Sequence, residues 1–490
     1  MFLSSIFSIN ILHLSRLCSN NVFILFSMSS SRKKITIICK VIYVFAFILL
    51  TLNISFNIFS ISNERNLYSI EECLTIGRMV KSKQDGLFSA AGLAGVIYDK
   101  KQTLPDSIIN NSLLFNSHET RDLVWLHNME DQYRFYFGWD NREIPKDYYT
   151  YNSQSGGSSL LYSAINLILP FNPNINISIL RLISGLLLSI CFFLFIGWTY
   201  RNFGLISSCI VYILIFFSPW IVYMGGSLWW SMWTYYLPFL TILLLLEQKH
   251  NFPSKVSENK ILIFLFVAVF IKHLLFGFEF VTTILLAIYP PIIYYYWIEK
   301  RKLSSFIIFS FKAGLVSLLA VIAQSFILFY QLSILKNGSI LDGVEEILFL
   351  YKKRGSFEFH HSISQSEIFS QIFENFFMTG PFNPKLFLTH DVLSFLAFFI
   401  IVFITGILIY LFRHKILLPT QIKKYSVLFV TTIISLICPL SWYIIFNEHA
   451  YTHHYRDVIV WYVPTMLYCF VIISMAISIL LEYFKNKIRN

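Results

Sequence analysis

The chain has 490 residues, of which 56% are hydrophobic and only 13% charged, against about 25% charged in a soluble globular protein. The deficit lies in long apolar runs, which excludes a single large soluble core. The formal net charge is +11, but the basic residues cluster between apolar runs with no soluble domain around them. That pattern argues against nucleic acid as a partner and for attraction to the cytoplasmic leaflet of a lipid bilayer.

Residues 1–34 read as a cytoplasmic segment, in which Met28 precedes Ser29-Ser30-Ser31-Arg32-Lys33-Lys34 in the manner of a natural start. No small-residue cleavage site marks a signal peptide. Ten apolar stretches follow: Ile35–Phe59, Ile177–Tyr200, Phe203–Tyr223, Trp229–Leu246, Ile261–Phe276, Phe280–Ile298, Phe306–Leu332, Val392–Phe412, Val427–Phe446 and Val458–Leu481. Most approach the roughly 20 residues that a helix needs to cross about 30 Å of hydrocarbon, the fifth being short. Open backbone polar groups are not tolerated in lipid, so each is read as a helix. The fold class expected is an all-α polytopic membrane protein with about ten transmembrane helices, its membrane domain spanning 35–482 and a cytoplasmic tail 483–490.

Lysine and arginine set the orientation. With both termini in the cytoplasm, the inner segments carry 18 of them, against Arg456 alone on the three short outer loops. Two long loops, 60–176 and 333–391, then fall outside. The seven cysteines show no disulfide or metal spacing. No internal repeat of the kind that marks many transporters is evident.

The polar chemistry sits on the outer side. The first loop holds Glu64 and then Glu71-Glu72, ahead of a stretch whose Leu74, Met79 and Val80 allow an amphipathic helix on the membrane surface. Acids at that position also serve simply as capping charge for the helix dipole. Exposed, they would be ionised at neutral pH and able to accept a proton. Asp85-Gly86-Leu87-Phe88 closes the stretch. Further on come Gln154 within Tyr151-Asn152-Ser153-Gln154-Ser155-Gly156-Gly157, then Trp229 and Trp230 at the mouth of the fourth span. An ordinary aromatic belt would place tryptophans there too.

Lys272 and Glu279 flank the end of the fifth span, as a structural pair or as a contact to a lipid phosphate. The last outer loop, Asn447 to Asp457, gathers His449, His453, His454 and Arg456. Anionic phosphate binding suits that set better than a metal. His449 and His453 are four apart and would share a helical face, which keeps a divalent cation in view, and no other cofactor is called for.

The order of these features resembles the GT-C superfamily of multi-pass membrane glycosyltransferases, exemplified by the protein O-mannosyltransferases and the lipid A aminoarabinose transferase. In that family an acidic pair after the first span precedes an amphipathic helix and a Gly-aromatic turn. Glu71-Glu72 would stand for the pair, where those families usually carry Asp-Glu, with Glu64 as the fallback. The chain also resembles uncharacterised bacterial multi-pass proteins across Tyr151–Gly157, Lys272–Glu279 and Glu448–Asp457.

The resemblance implies sugar transfer from a polyprenyl-phosphate donor to an acceptor lipid, glycan or protein, with inversion, at the outer face of a bacterial inner membrane. In that reading a carboxylate takes the acceptor proton. Lys272, His449, His453, His454 and Arg456 hold the donor phosphate, while Asp85, Gln154, Trp229, Trp230 and Glu279 contact substrate. The rivals are a lipid-linked glycan polymerase or ligase, which would not need acids after the first span, and a flippase or transporter, which would carry charge inside the bundle.

Overall fold

The computed structural model describes residues 29–62, 71–99, 118–139, 143–336, 338–355, 365–378, 394–417, 419–452 and 457–489. Among the described residues the first element is helix α1 (Ser29–Phe56), and the first long connection then carries α2 (Glu72–Asp85), strand β1 (Gly95–Ile97), α3 (His118–Phe137), β2 (Tyr148–Thr150) and α4 (Gly157–Ile168). The bundle continues through α5 (Pro173–Phe203), α6 (Leu205–Phe216), α7 (Pro219–Gly225), α8 (Trp233–Asn251), α9 (Glu258–Phe276), α10 (Val281–Leu286), α11 (Tyr289–Glu299) and α12 (Leu303–Lys336). The second connection holds α13 (Ile340–Gly355) and α14 (Gln365–Met378). The last part comprises α15 (Phe395–Ile416), α16 (Pro419–Ser435), α17 (Ile437–Ile445), the short α18 (Asn447–Thr452) and α19 (Thr465–Arg489).

Among the described residues, seven helical stretches are long and apolar enough to cross a membrane: α5, α9, α10 with α11, α12, α15, Gln421–Ile445 across α16 and α17, and Thr465–Lys485 in α19. The α6–α7 pair, bent by 62°, brings the number to eight when its halves are taken as one span. The chain is thus a helical, multi-pass membrane protein. Large apolar side chains on the periphery, such as Phe311, Phe326 and Leu411, are well exposed, as a lipid-facing surface requires. α8 falls short because it opens on Trp-Thr-Tyr-Tyr and closes on Glu-Gln-Lys-His, leaving a brief apolar middle.

Local chemistry fixes the boundaries. Asn172 caps α5 by accepting from the Ile175 amide at 3.0 Å, with Pro173 at the first helical position. Ser257 and Ser394 cap α9 and α15 in the same way. Pro219 has no N–H to continue α6, and the Phe216 carbonyl freed at the break is taken by Asn53 Nδ2 of α1 at 3.0 Å.

The membrane-surface helix read from Leu74, Met79 and Val80 forms, but not on a surface. In α2 every residue from Glu72 to Ser82 is buried, enclosed by α3, α4 and a two-stranded ribbon. β1 and β2 pair antiparallel with Val96 opposite Tyr149. Gln132 of α3 closes the ribbon's edge like a third strand, donating to the Ile97 carbonyl at 2.7 Å and accepting from its amide at 2.8 Å. Arg78, fully buried in α2, donates to the carbonyls of Gly86, Leu87 and Ser89 and so builds the 85–88 turn around itself.

The bundle has two polar ends. At one, remote from the long connections, Arg201 of α5 pairs with Glu247 of α8 at 2.5 Å, Asn202 donates to the same carboxylate at 3.0 Å, and Lys424 reaches Asn202 at 3.1 Å. Lys249 meets Glu258 there at 2.8 Å. Between the ends lies an aromatic core in which Trp198 packs against Phe195, Tyr294 and Tyr468. The other end carries the first long connection.

Candidate functional site

At that second end, Glu71 and Glu72 are 5% and 2% exposed, so neither is the open surface acid expected from its place in a loop. α2 brings Glu72 against α5, where Arg181 donates from its terminal nitrogen at 2.7 Å and from Nε at 3.4 Å. The Tyr133 hydroxyl donates at 3.3 Å and the Leu228 amide at 3.1 Å. A carboxylate with a two-nitrogen guanidinium partner and two further donors is fixed in position. Burial, with the negative charge of Glu72 beside it, raises the Tyr133 phenol far above its ordinary range.

Leu228 leads directly into Trp229 and Trp230, which link this acid to the rest of the site. Trp229 meets Tyr151 edge-on at 5.4 Å and Phe276 at 6.0 Å. Trp230 lies parallel to Phe280 at 6.2 Å and packs on Phe276 at 5.5 Å.

The segment 152–157 is a strap across the end of α9. Ser155 Oγ donates to the Leu274 carbonyl at 2.6 Å, and a Cβ on Gly157 would stand 2.3 Å from that same oxygen. The break after α9 occurs at Gly277, whose φ of +61° and ψ of −150° suit glycine. A side chain there would also strike Gln154, whose Cβ would lie 2.3 Å away. Lys272, with no exposed surface, turns its ammonium into the break and donates to the carbonyls of Gly277 at 2.9 Å and Glu279 at 2.5 Å. Its nitrogen also stands 5.7 Å from the Tyr235 ring centre.

From the far side of the chain, α18 places His449 Nε2 3.6 Å from a Glu279 carboxylate oxygen. Trp442 of α17 meets the His449 ring edge-on at 5.4 Å and donates from its indole to Asp457 at 2.7 Å. The Tyr443 hydroxyl donates to the Asp457 carbonyl at 3.1 Å. Lys272, Glu279, His449, Asp457 and Trp442 therefore form one contiguous, largely buried polar cluster capped by Gln154 and walled by Trp230 and Phe280. Asp85 stands apart, half-exposed and paired with Lys81 at 2.6 Å. Glu64, His453, His454 and Arg456 lie outside the described residues. Among the described residues, no three His, Cys, Asp or Glu side chains converge as metal ligands would.

Arg181, Tyr133, Tyr235, Trp442 and Asp457 belong to this end of the molecule and were not singled out from sequence. Arg181 carried a usable signal, since it is the one charged residue between Asn176 and Arg201 in an apolar helix and such a residue calls for a partner. The class of protein defined here is a helical, multi-pass membrane protein with a buried polar site at one end of its bundle. No protein-family model, no curated protein and no solved structure matches the chain.

Proposed function

We propose that the chain is an inverting membrane glycosyltransferase of the GT-C kind, taking sugar from a polyprenyl-phosphate donor on the outer face of a bacterial inner membrane. Ten spans with both termini in the cytoplasm would put the polar cluster on that face, consistent with the lysine and arginine bias. The acceptor hydroxyl attacks the anomeric carbon and gives its proton to a carboxylate. The bond from that carbon to the phosphate oxygen breaks, its electron pair leaves with the phosphate, and the configuration inverts.

The observation that supports this reading best is convergence. The acid pair, Lys272 with Glu279, and His449 with Asp457 come from three separate parts of the sequence and gather at one end of the bundle. Within that set, Glu72 is the positioning residue, because Arg181, Tyr133 and the Leu228 amide occupy it. Glu71 is the candidate base. In this reading His449 receives the lipid phosphate, with His453, His454 and Arg456 proposed as further contacts, while Lys272 holds the Gly277 and Glu279 carbonyls beside it.

The same saturation of Glu72 favours a second reading, a glycan polymerase or ligase, in which Glu71 and Glu72 serve structure only and the cluster around His449 performs the transfer. Reconstituted protein supplied with polyprenyl-phosphate sugars tests both. Release of polyprenyl phosphate coupled to a glycosylated acceptor supports transfer from a monophosphate donor, and turnover only with a diphosphate-linked glycan selects the second reading.

A further inference from the structure

We infer that the helix break at Phe276–Phe280 is a subsite for the sugar of the donor, read by the Tyr235 hydroxyl and the Gln154 amide, with the phosphate bound elsewhere in the cluster. The inference rests on the glycosyltransferase reading and makes it more specific.

Tyr235 is 1% exposed, and its hydroxyl has no hydrogen-bond partner among the described residues. The ring cannot turn aside to find one. Phe276 meets it edge-on at 5.2 Å and Phe280 at 5.7 Å, with the Lys272 ammonium 5.7 Å from its centre. Gln154 is 2% exposed, packs against Gly277, and its amide oxygen also has no partner among the described residues. Two orphaned polar atoms at one break are costly to keep unless a bound group supplies the missing bonds.

The charge around them identifies that group. Lys272 is engaged with two carbonyls, Asp457 with the Trp442 indole, and Glu279 faces His449. Both carboxylates also lie within electrostatic reach of the Tyr235 hydroxyl. A phosphate here would stand beside an amide oxygen and in the field of two carboxylates, which disfavours a further anion. Sugar hydroxyls both donate and accept, so they can serve the phenol and the amide oxygen. The parallel Trp230 and Phe280 rings, with Trp442 edge-on to Phe280 at 4.9 Å, offer the apolar wall that suits a sugar's C–H face.

The test compares wild type, Tyr235→Phe and Gln154→Met in lipid nanodiscs. Binding is measured to undecaprenyl phosphate and to its hexosyl and pentosyl derivatives, and melting curves check the fold. Each variant should bind the best glycosylated lipid roughly three- to tenfold more weakly, as loss of one neutral hydrogen bond implies, while binding the bare lipid phosphate as wild type does. Wild-type binding of every lipid by both variants would overturn the subsite and leave the transferase reading standing. An equal loss for bare and glycosylated lipids would also overturn it, by placing phosphate at the break. Failure of wild type to bind any of these lipids would sink the transferase reading and the subsite with it.

Discussion

Glu72 and Arg181 meet at 2.7 Å although 109 residues separate them in sequence, and both sit almost entirely inside the protein. The pair ties the first long connection to the helical bundle. Arg181→Ala would leave a buried carboxylate without its cation and should cost about 3–5 kcal/mol. Arg181→Lys keeps the charge but not the two-nitrogen geometry and should fall between. Thermal unfolding in detergent reads this directly, and an unchanged midpoint for Arg181→Ala would remove the pair's structural role.

Gly277→Ala should be as damaging as a loop substitution can be. The backbone conformation is one that L residues avoid, at about 1–3 kcal/mol, and the new methyl would strike Gln154. The break would shift, taking the Lys272 staple with it. A lowered melting temperature together with weaker donor binding is expected. Wild-type values for both would mean that the break tolerates rearrangement.

The orientation predicts labelling. Lys83 and Lys302 are exposed and lie toward opposite ends of the bundle. In a cysteine-free background, Lys83→Cys should react with an impermeant thiol reagent on intact cells, and Lys302→Cys only after permeabilisation. The reverse pattern would move the candidate site to the cytoplasmic side.

Alkaline pH should loosen the first connection. Burial raises the Tyr133 and Tyr148 phenols well above their ordinary value. The unfolded chain therefore releases these protons first, near pH 10. Stability contributed by the protonated, folded phenols is intact below that pH and is lost as the pH climbs past it. Phenolate absorbance should lag behind that of exposed tyrosines and then rise together with unfolding. Early titration of all tyrosines with the fold intact would contradict this.

Most of the apolar spans were legible because hydrocarbon accepts only continuous apolar helices, and composition alone reports that. α8 was harder, since Glu247 and Lys249 end its apolar run early. The three-residue strands of the ribbon were invisible, because a pairing set by Gln132 and Arg78 depends on contacts distant in sequence. At the site, Gly156-Gly157 and the Lys272–Glu279 span were legible as motifs. What brings them together was not: Ser155 reaches the Leu274 carbonyl, and Gln154 packs on Gly277, only through the tertiary fold. Glu71 and Glu72 read as open loop acids because nothing local signals that α3, α4 and Arg181 enclose them.

The central claim is sugar transfer with a carboxylate of the first connection as base, and one measurement addresses it most directly. Purified wild type, Glu71→Gln, Glu72→Gln and Glu64→Gln would be assayed for transfer from polyprenyl-phosphate sugars, with donor binding and melting measured alongside. Glutamine keeps the shape and removes the basicity. Glu71→Gln should lose roughly 10²–10⁴ in rate while still binding donor, the range that general-base help supplies. Glu72→Gln should show its loss together with reduced stability, through Arg181. Full transfer by all three variants would contradict the carboxylate mechanism, and no transfer by wild type from any such donor would contradict the glycosyltransferase itself.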